Sequence, residues 1–139
     1  MLRMSYMPSD FHPIVLMIGS ASDILSLSKC LRAFSSDGAP RALVADGGIA
    51  SRDTEVVLRE PASDGIGMFP RASSRCLDWY LTRPDAAALA EEVEALAAEN
   101  APSGSVTLEC GRLDEVRVKV SIGEWEEGFL EIDGSGPGG

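Results

Sequence analysis

Histidine occurs once in this chain, cysteine three times, and no uninterrupted aliphatic stretch is longer than Ile14–Ile18. Each scarcity excludes something. His12 precedes the first apolar segment and has no cysteine or serine motif beside it, so a histidine-assisted nucleophile lacks recognisable partners. Cys30, Cys76 and Cys110 are odd in number and have neither paired nor metal-ligand spacing, a usage that suits a reducing cytoplasm. Cys30 falls in a helical stretch and Cys110 at an inward strand position, so both read as small buried apolar groups. A bilayer-crossing helix needs roughly 20 apolar residues, so no membrane span is expected. Asp10 and His12 break the apolar stretch that a signal peptide would need after Arg3.

The metal and phosphate signatures are missing as well. Glu91, Glu92 and Glu94 have no histidine or cysteine companion, and no acidic loop carries the glycine punctuation of a calcium site. They read as a solvated helix face. Asp46-Gly47-Gly48 has no following helix or lysine to hold phosphate and reads as a turn. Gly19-Ser20-Ala21-Ser22 opens a helix after a strand, yet lacks the second glycine of a nucleophile elbow. The expectation is no catalytic residue, no metal and no cofactor.

Positive charge is scarce only in the second half. Residues 1–84 hold nine acids and nine Lys or Arg, whereas residues 85–139 hold thirteen acids and three bases, so the whole net charge of −10 lies after Pro84. Such a field repels nucleic-acid phosphates and anionic lipid and attracts basic surfaces. The 139-residue length and 45% hydrophobic content suit one globular domain with a single core.

What is present is a repeated grammar. Ser20, Asp23, Leu27, Leu31, Phe34 and Gly38 recur 62 residues later as Thr82, Asp85, Leu89, Val93, Leu96 and Asn100, followed by Ala39-Pro40 and Ala101-Pro102. Ser20 and Thr82 are N-cap types with an acid three positions on. The apolar trios lie at i, i+4 and i+7, one stripe of a helix. Gly38 and Asn100 tolerate the left-handed conformation that ends a helix. The spacing predicts helices over Ala21–Asp37 and Arg83–Glu99, with Pro84 inside the first turn of the second.

Strands complete a βαββ unit used twice. Pro13–Gly19 forms the first strand, and its unbroken apolar run Ile14–Ile18 implies either that both its faces are covered or that it lies centrally in a sheet. Arg41–Asp46 and Thr54–Glu60 form a hairpin, Cys76–Leu81 restarts the pattern, and Ser105–Cys110 pairs with Val116–Ile122 by strict alternation. The fold expected is α+β: a two-layer sandwich of tandem βαββ repeats (about 13–60 and 75–122), with about six mostly antiparallel strands and two helices on one face. Residues 1–12 are expected to be a loosely held lead-in. Residues 13–133 would form one domain, closed by an acidic and aromatic segment at 123–133, and residues 134–139 a disordered tail.

Two segments look suited to contact. The run from Glu124 to Asp133 interleaves Trp125, Phe129, Leu130 and Ile132 with Glu124, Glu126, Glu127 and Glu131, so an aromatic anchor is combined with steering charge. The linker Pro61–Ser74 presents Ile66, Met68 and Phe69 among glycines. Alternation puts Leu77, Trp79 and Leu81 on one face and Asp78 with Tyr80 on the other, and Glu109 and Asp114 extend the acidic surface. The expected partner-binding residues are therefore Asp78, Tyr80, Glu109, Asp114, Glu124, Trp125, Glu126, Glu127, Phe129 and Glu131. The expected function is a non-enzymatic, cytoplasmic, acidic protein-binding domain, monomeric or homodimeric, of the immunity or antitoxin type. It would occlude a basic partner such as a toxin nuclease. The alternative is a small-molecule sensor with its ligand between the repeats.

Overall fold

A computed structural model describes residues 1–8, 12–62, 65–72, 74–99 and 101–123. The chain is α+β. Its elements run β1 (Arg3–Met7), β2 (Ile14–Gly19), α1 (Ala21–Asp37), β3 (Arg41–Ala42), β4 (Ala50–Ser51), β5 (Glu55–Arg59), β6 (Gly67–Pro70), β7 (Cys76–Tyr80), α2 (Arg83–Ala98), β8 (Gly104–Leu108) and β9 (Arg117–Ile122).

Both helices start where the caps require. The Asp23 backbone N–H donates to Ser20 Oγ at 3.1 Å and the Ser20 N–H to Asp23 Oδ2 at 2.9 Å, a complete capping box. In α2 the Asp85 N–H donates to Thr82 Oγ1 at 3.1 Å, with Pro84 in the first turn. Gly38 ends α1 in the left-handed conformation at φ 70°, and its N–H donates to the Phe34 carbonyl. Asn100, its expected counterpart, lies outside the described residues. The expected stripes, Leu27, Leu31 and Phe34 on α1 and Leu89, Val93 and Leu96 on α2, are all buried.

The sheets depart from expectation. Instead of about six mostly antiparallel strands, nine described strands form two mixed sheets, ordered β4-β1-β2-β9-β8 and β3-β5-β7-β6. The pairs β1–β2, β3–β5, β6–β7 and β8–β9 are antiparallel, whereas β1–β4, β2–β9 and β5–β7 are parallel. The tandem βαββ plan fails for a topological reason: the strands around each helix do not stay in one sheet. α1 leaves β2 of the five-stranded sheet and delivers the chain to β3 and β5 of the four-stranded one. α2 leaves β7 of the latter and delivers it to β8 and β9 of the former. Periodicity reports which face of a strand is buried and is blind to which strand lies alongside.

Two further segments are more ordered than expected. Residues 3–7 form β1 rather than belonging to a loose lead-in, because Leu2, Met4 and Tyr6 alternate inward and Leu2 and Met4 are buried in the core. The Pro61–Ser74 linker contains β6, which pairs with β7 from Gly67↔Tyr80 to Pro70↔Leu77. The first hairpin is shorter than expected, at Arg41↔Leu58 and Ala42↔Val57. Residues 43–48 then wind into a turn whose Val44 and Ala45 N–H groups donate to the Glu55 carboxylate.

α1 packs along α2 and onto β2 and β9, while α2 packs onto β8. One hydrophobic cluster draws Val15 and Met17 of β2, Val118 and Val120 of β9, Val56 and Leu58 of β5, Leu77 and Trp79 of β7, and the stripes of both helices into a single core. No helix among the described residues is long and apolar enough to cross a membrane. Met4→Ala is expected to destabilise the protein by ~2–5 kcal/mol, measured by urea unfolding; a lead-in outside the core would give a change within about 0.5 kcal/mol.

Candidate partner-docking site

Alternation on the four-stranded sheet divides its residues cleanly. Val56, Leu58, Met68, Leu77 and Trp79 enter the core. Val57, Arg59, Phe69, Cys76, Asp78 and Tyr80 take the opposite face. The Arg71 N–H donates to the Cys76 carbonyl at 3.0 Å, which extends the β6–β7 register by one residue and puts Arg71 on that face too.

Asp78 is the centre of this face. Arg71 grips it with two bonds, Nε to Oδ2 at 2.9 Å and a terminal nitrogen to Oδ1 at 2.8 Å, and Arg59 Nε donates to Oδ1 at 2.8 Å. The Arg71 hydrogen bonds hold the Asp78 carboxyl below the usual carboxylate range, against the opposing effect of burial and with Arg59 adding to the same direction. Asp78 raises the Arg71 guanidinium in turn. The carboxylate side chain is 12% exposed, whereas the guanidinium-bearing side chains of Arg59 and Arg71 are 38% and 39% exposed. Asp78 was expected to present negative charge to a partner; two cations on one carboxylate make its surroundings net positive instead.

The loop between β8 and β9 adjoins this face. Glu115 is only 1% exposed, and its carboxylate accepts the Cys110 N–H at 2.9 and 3.0 Å and the Arg112 N–H at 2.9 Å. The Val116 N–H donates to the Met68 carbonyl at 2.9 Å, tying the loop to β6. Arg112 then sits over the Phe69 ring, 5.9 Å from its centroid. Gly67 has φ 120°, and a Cβ there would come within 3.2 Å of the Phe69 ring and 3.3 Å of Glu115 Cβ, so a side chain would wedge loop and ring apart. At the tip of this clamped turn Leu113 is 98% exposed, beside exposed Asp114.

The root of the turn is anionic. Burial pushes the Cys110 thiol up to about 11, with Glu115, Asp85 and Glu109 adding to the shift in that order. Burial likewise raises the Cys30 thiol. A thiol with either shift is protonated near neutral pH and is a poor nucleophile. Glu109 pairs with Arg117 at 2.9 Å, which partly cancels its charge. No group of three or more His, Cys, Asp or Glu that could hold a metal ion occurs among the described residues.

The fold thus brings Asp78, Tyr80 and Phe69 onto one face and sets Glu109 and Asp114 on the loop beside it. Met68 was expected as a loop contact but is buried in the core opposite Trp79, because β6 gives it the inward position; Ile66 is half-buried. Glu124, Trp125, Glu126, Glu127, Phe129 and Glu131 lie outside the described residues. Sequence reasoning missed Leu113, Arg112, Glu115, Arg59 and Arg71. A leucine inside the polar turn Gly111-Arg112-Leu113-Asp114 was a readable signal, whereas the clamp by Glu115 has none.

Because the folded Asp78 carboxyl lies below its unfolded value of ~3.9, its stabilising effect is present above that pH and is lost as pH falls through the lowered folded value. Asp78→Asn is expected to lower stability at neutral pH by ~1–3 kcal/mol and to flatten the acid limb of a pH–stability curve. An unchanged acid limb in chemical unfolding would show that this carboxylate does not carry the dependence.

Neither a protein-family model nor a curated protein matches this chain, so the functional reading stands on the chemistry of this surface.

Proposed function

We propose that this protein is a non-enzymatic, acidic protein-binding domain that docks on a basic protein surface through the turn between β8 and β9, in the manner of an immunity or antitoxin-type inhibitor of a toxin such as a nuclease. The observation that carries this reading is Leu113, 98% exposed at the tip of a turn held by the buried Glu115 carboxylate. Burying a leucine side chain is worth ~1.5–3 kcal/mol, and a turn already fixed by hydrogen bonds loses little freedom on binding.

Electrostatics supports the same partner class. Asp114 is exposed beside Leu113, the acids around Cys110 make the root of the turn negative, and the chain as a whole carries −10. A basic partner would be steered to this side and held by an apolar anchor, while the carboxylates occupy the positions that phosphates take on a nuclease. The acidic and aromatic segment from Glu124 to Glu131 would add charge and the anchors Trp125 and Phe129 to the same interaction. Asp78 has no part in this contact, since Arg59 and Arg71 neutralise it.

The test is binding and inhibition of a panel of purified basic toxin nuclease domains, with an acidic protein as control. Binding to a panel member is expected to weaken at least about tenfold between about 50 and 300 mM salt. Leu113→Asp is expected to weaken it about tenfold or more, ~1.4 kcal/mol, with the circular dichroism spectrum unchanged. Glu124, Glu126 and Glu127 replaced together by glutamine should reduce the salt dependence. Failure to bind any basic domain, or binding indifferent to both salt and Leu113→Asp, would overturn the reading.

A further inference from the structure

Asp78 has more positive charge around it than a structural ion pair needs. One guanidinium neutralises one carboxylate, and Arg71 already does so with two bonds. Arg59 adds a second cation through Nε alone, and its terminal nitrogens make no further hydrogen bond among the described residues. The arrangement is also inverted in depth: the carboxylate is the buried partner, and both arginine side chains are more than a third exposed. Asp78 therefore fixes the two forks from below.

The neighbouring residues are apolar and aromatic. In register, Val57 lies beside Asp78, Arg59 beside Tyr80, and Phe69 across from Asp78. Gly67 opposite Tyr80 contributes no side chain, and the Phe69 ring packs close above it with Arg112 over its face. The face thus offers prepositioned guanidinium forks next to a flat apolar surface, in a chain whose net charge is −10.

We infer that the open face of the four-stranded sheet binds the oxyanion of a small molecule, a carboxylate or phosphate borne on an apolar or aromatic body. Arg59 and Arg71 donate to the oxyanion, and Phe69 and Tyr80 pack against the body. Guanidinium forks match the paired oxygens of both anions. The chain's overall negative charge opposes the approach of any anion, and screening over roughly 8 Å at physiological salt leaves the short-range contacts in control. This ligand site is separate from partner docking through Leu113, and either can fail without the other.

The test uses the full chain and three probes, benzoate, phenyl phosphate and inorganic phosphate, at constant ionic strength with chloride as reference. Titration calorimetry and NMR of the arginine Nε–H signals read the result. Benzoate or phenyl phosphate is expected to bind and to shift the Arg59 and Arg71 signals, more tightly than inorganic phosphate; which of the two binds better identifies the anion. Arg59→Gln leaves the two bonds between Arg71 and Asp78 in place and is expected to weaken binding about tenfold. Arg112→Gln lies off the Asp78 network and supplies a second variant if the first unfolds; it is expected to weaken the aromatic probes selectively. Absence of binding by all three probes, or binding that leaves the arginine signals and both variants unaffected, overturns the inference.

Discussion

Two parallel strand pairings hold the molecule together: β2 with β9, which joins residue 14 to residue 117, and β5 with β7, which joins residue 55 to residue 76. Parallel neighbours cannot be joined by a tight turn, so each pairing commits the chain to a longer excursion. The β2–β9 excursion contains both helices, which carry the chain from the five-stranded sheet to the other and back, whereas the β5–β7 excursion contains only β6. The five-stranded sheet therefore joins strands from both ends of the described chain, while the four-stranded sheet is drawn from residues 41–80. That is why one core contains residues from Leu2 to Ile122. Such long-range pairing incurs loop-closure entropy before contacts compensate for it, and places the fold among the slower topologies.

Two buried carboxylates organise this surface of the scaffold in different ways. Glu115 is satisfied by backbone N–H groups and shapes a turn; Asp78 is satisfied by guanidinium groups and shapes a sheet face. A buried charge is tolerated only when its hydrogen bonds are made, so each acid specifies the position of its donors closely. Arg112 links the two, since its N–H is bound by Glu115 while its side chain rests on Phe69 of the arginine-bearing face. The outcome is a segregated surface in which a cationic, aromatic sheet face borders an apolar turn with an anionic root.

The parts legible in the sequence were those governed by neighbours a few residues away. Ser20 and Thr82 cap their helices, Gly38 closes the first, the trios at i, i+4 and i+7 are buried, and Asp78 and Tyr80 lie opposite Leu77 and Trp79. The alternation of Leu2, Met4 and Tyr6 was equally readable as a strand, although residues 1–12 were expected to be a loose lead-in. The charge of Asp78 was visible, but its neutralisation depended on Arg59 and Arg71 arriving from strand positions that local pattern does not relate.

The amino-acid order alone determined the two helices, their starting points, the inward faces of β7, β8 and β9 and the concentration of acids after Pro84, because caps, periodicity and charge are local or additive. Tertiary structure alone decided that the strands divide into two mixed sheets, that Asp78 lies beneath two arginines, and that Leu113 stands out from a turn fastened by Glu115. Those outcomes depend on strand partners and hydrogen-bond donors brought from distant positions, and their energies exist only once the core has closed around them.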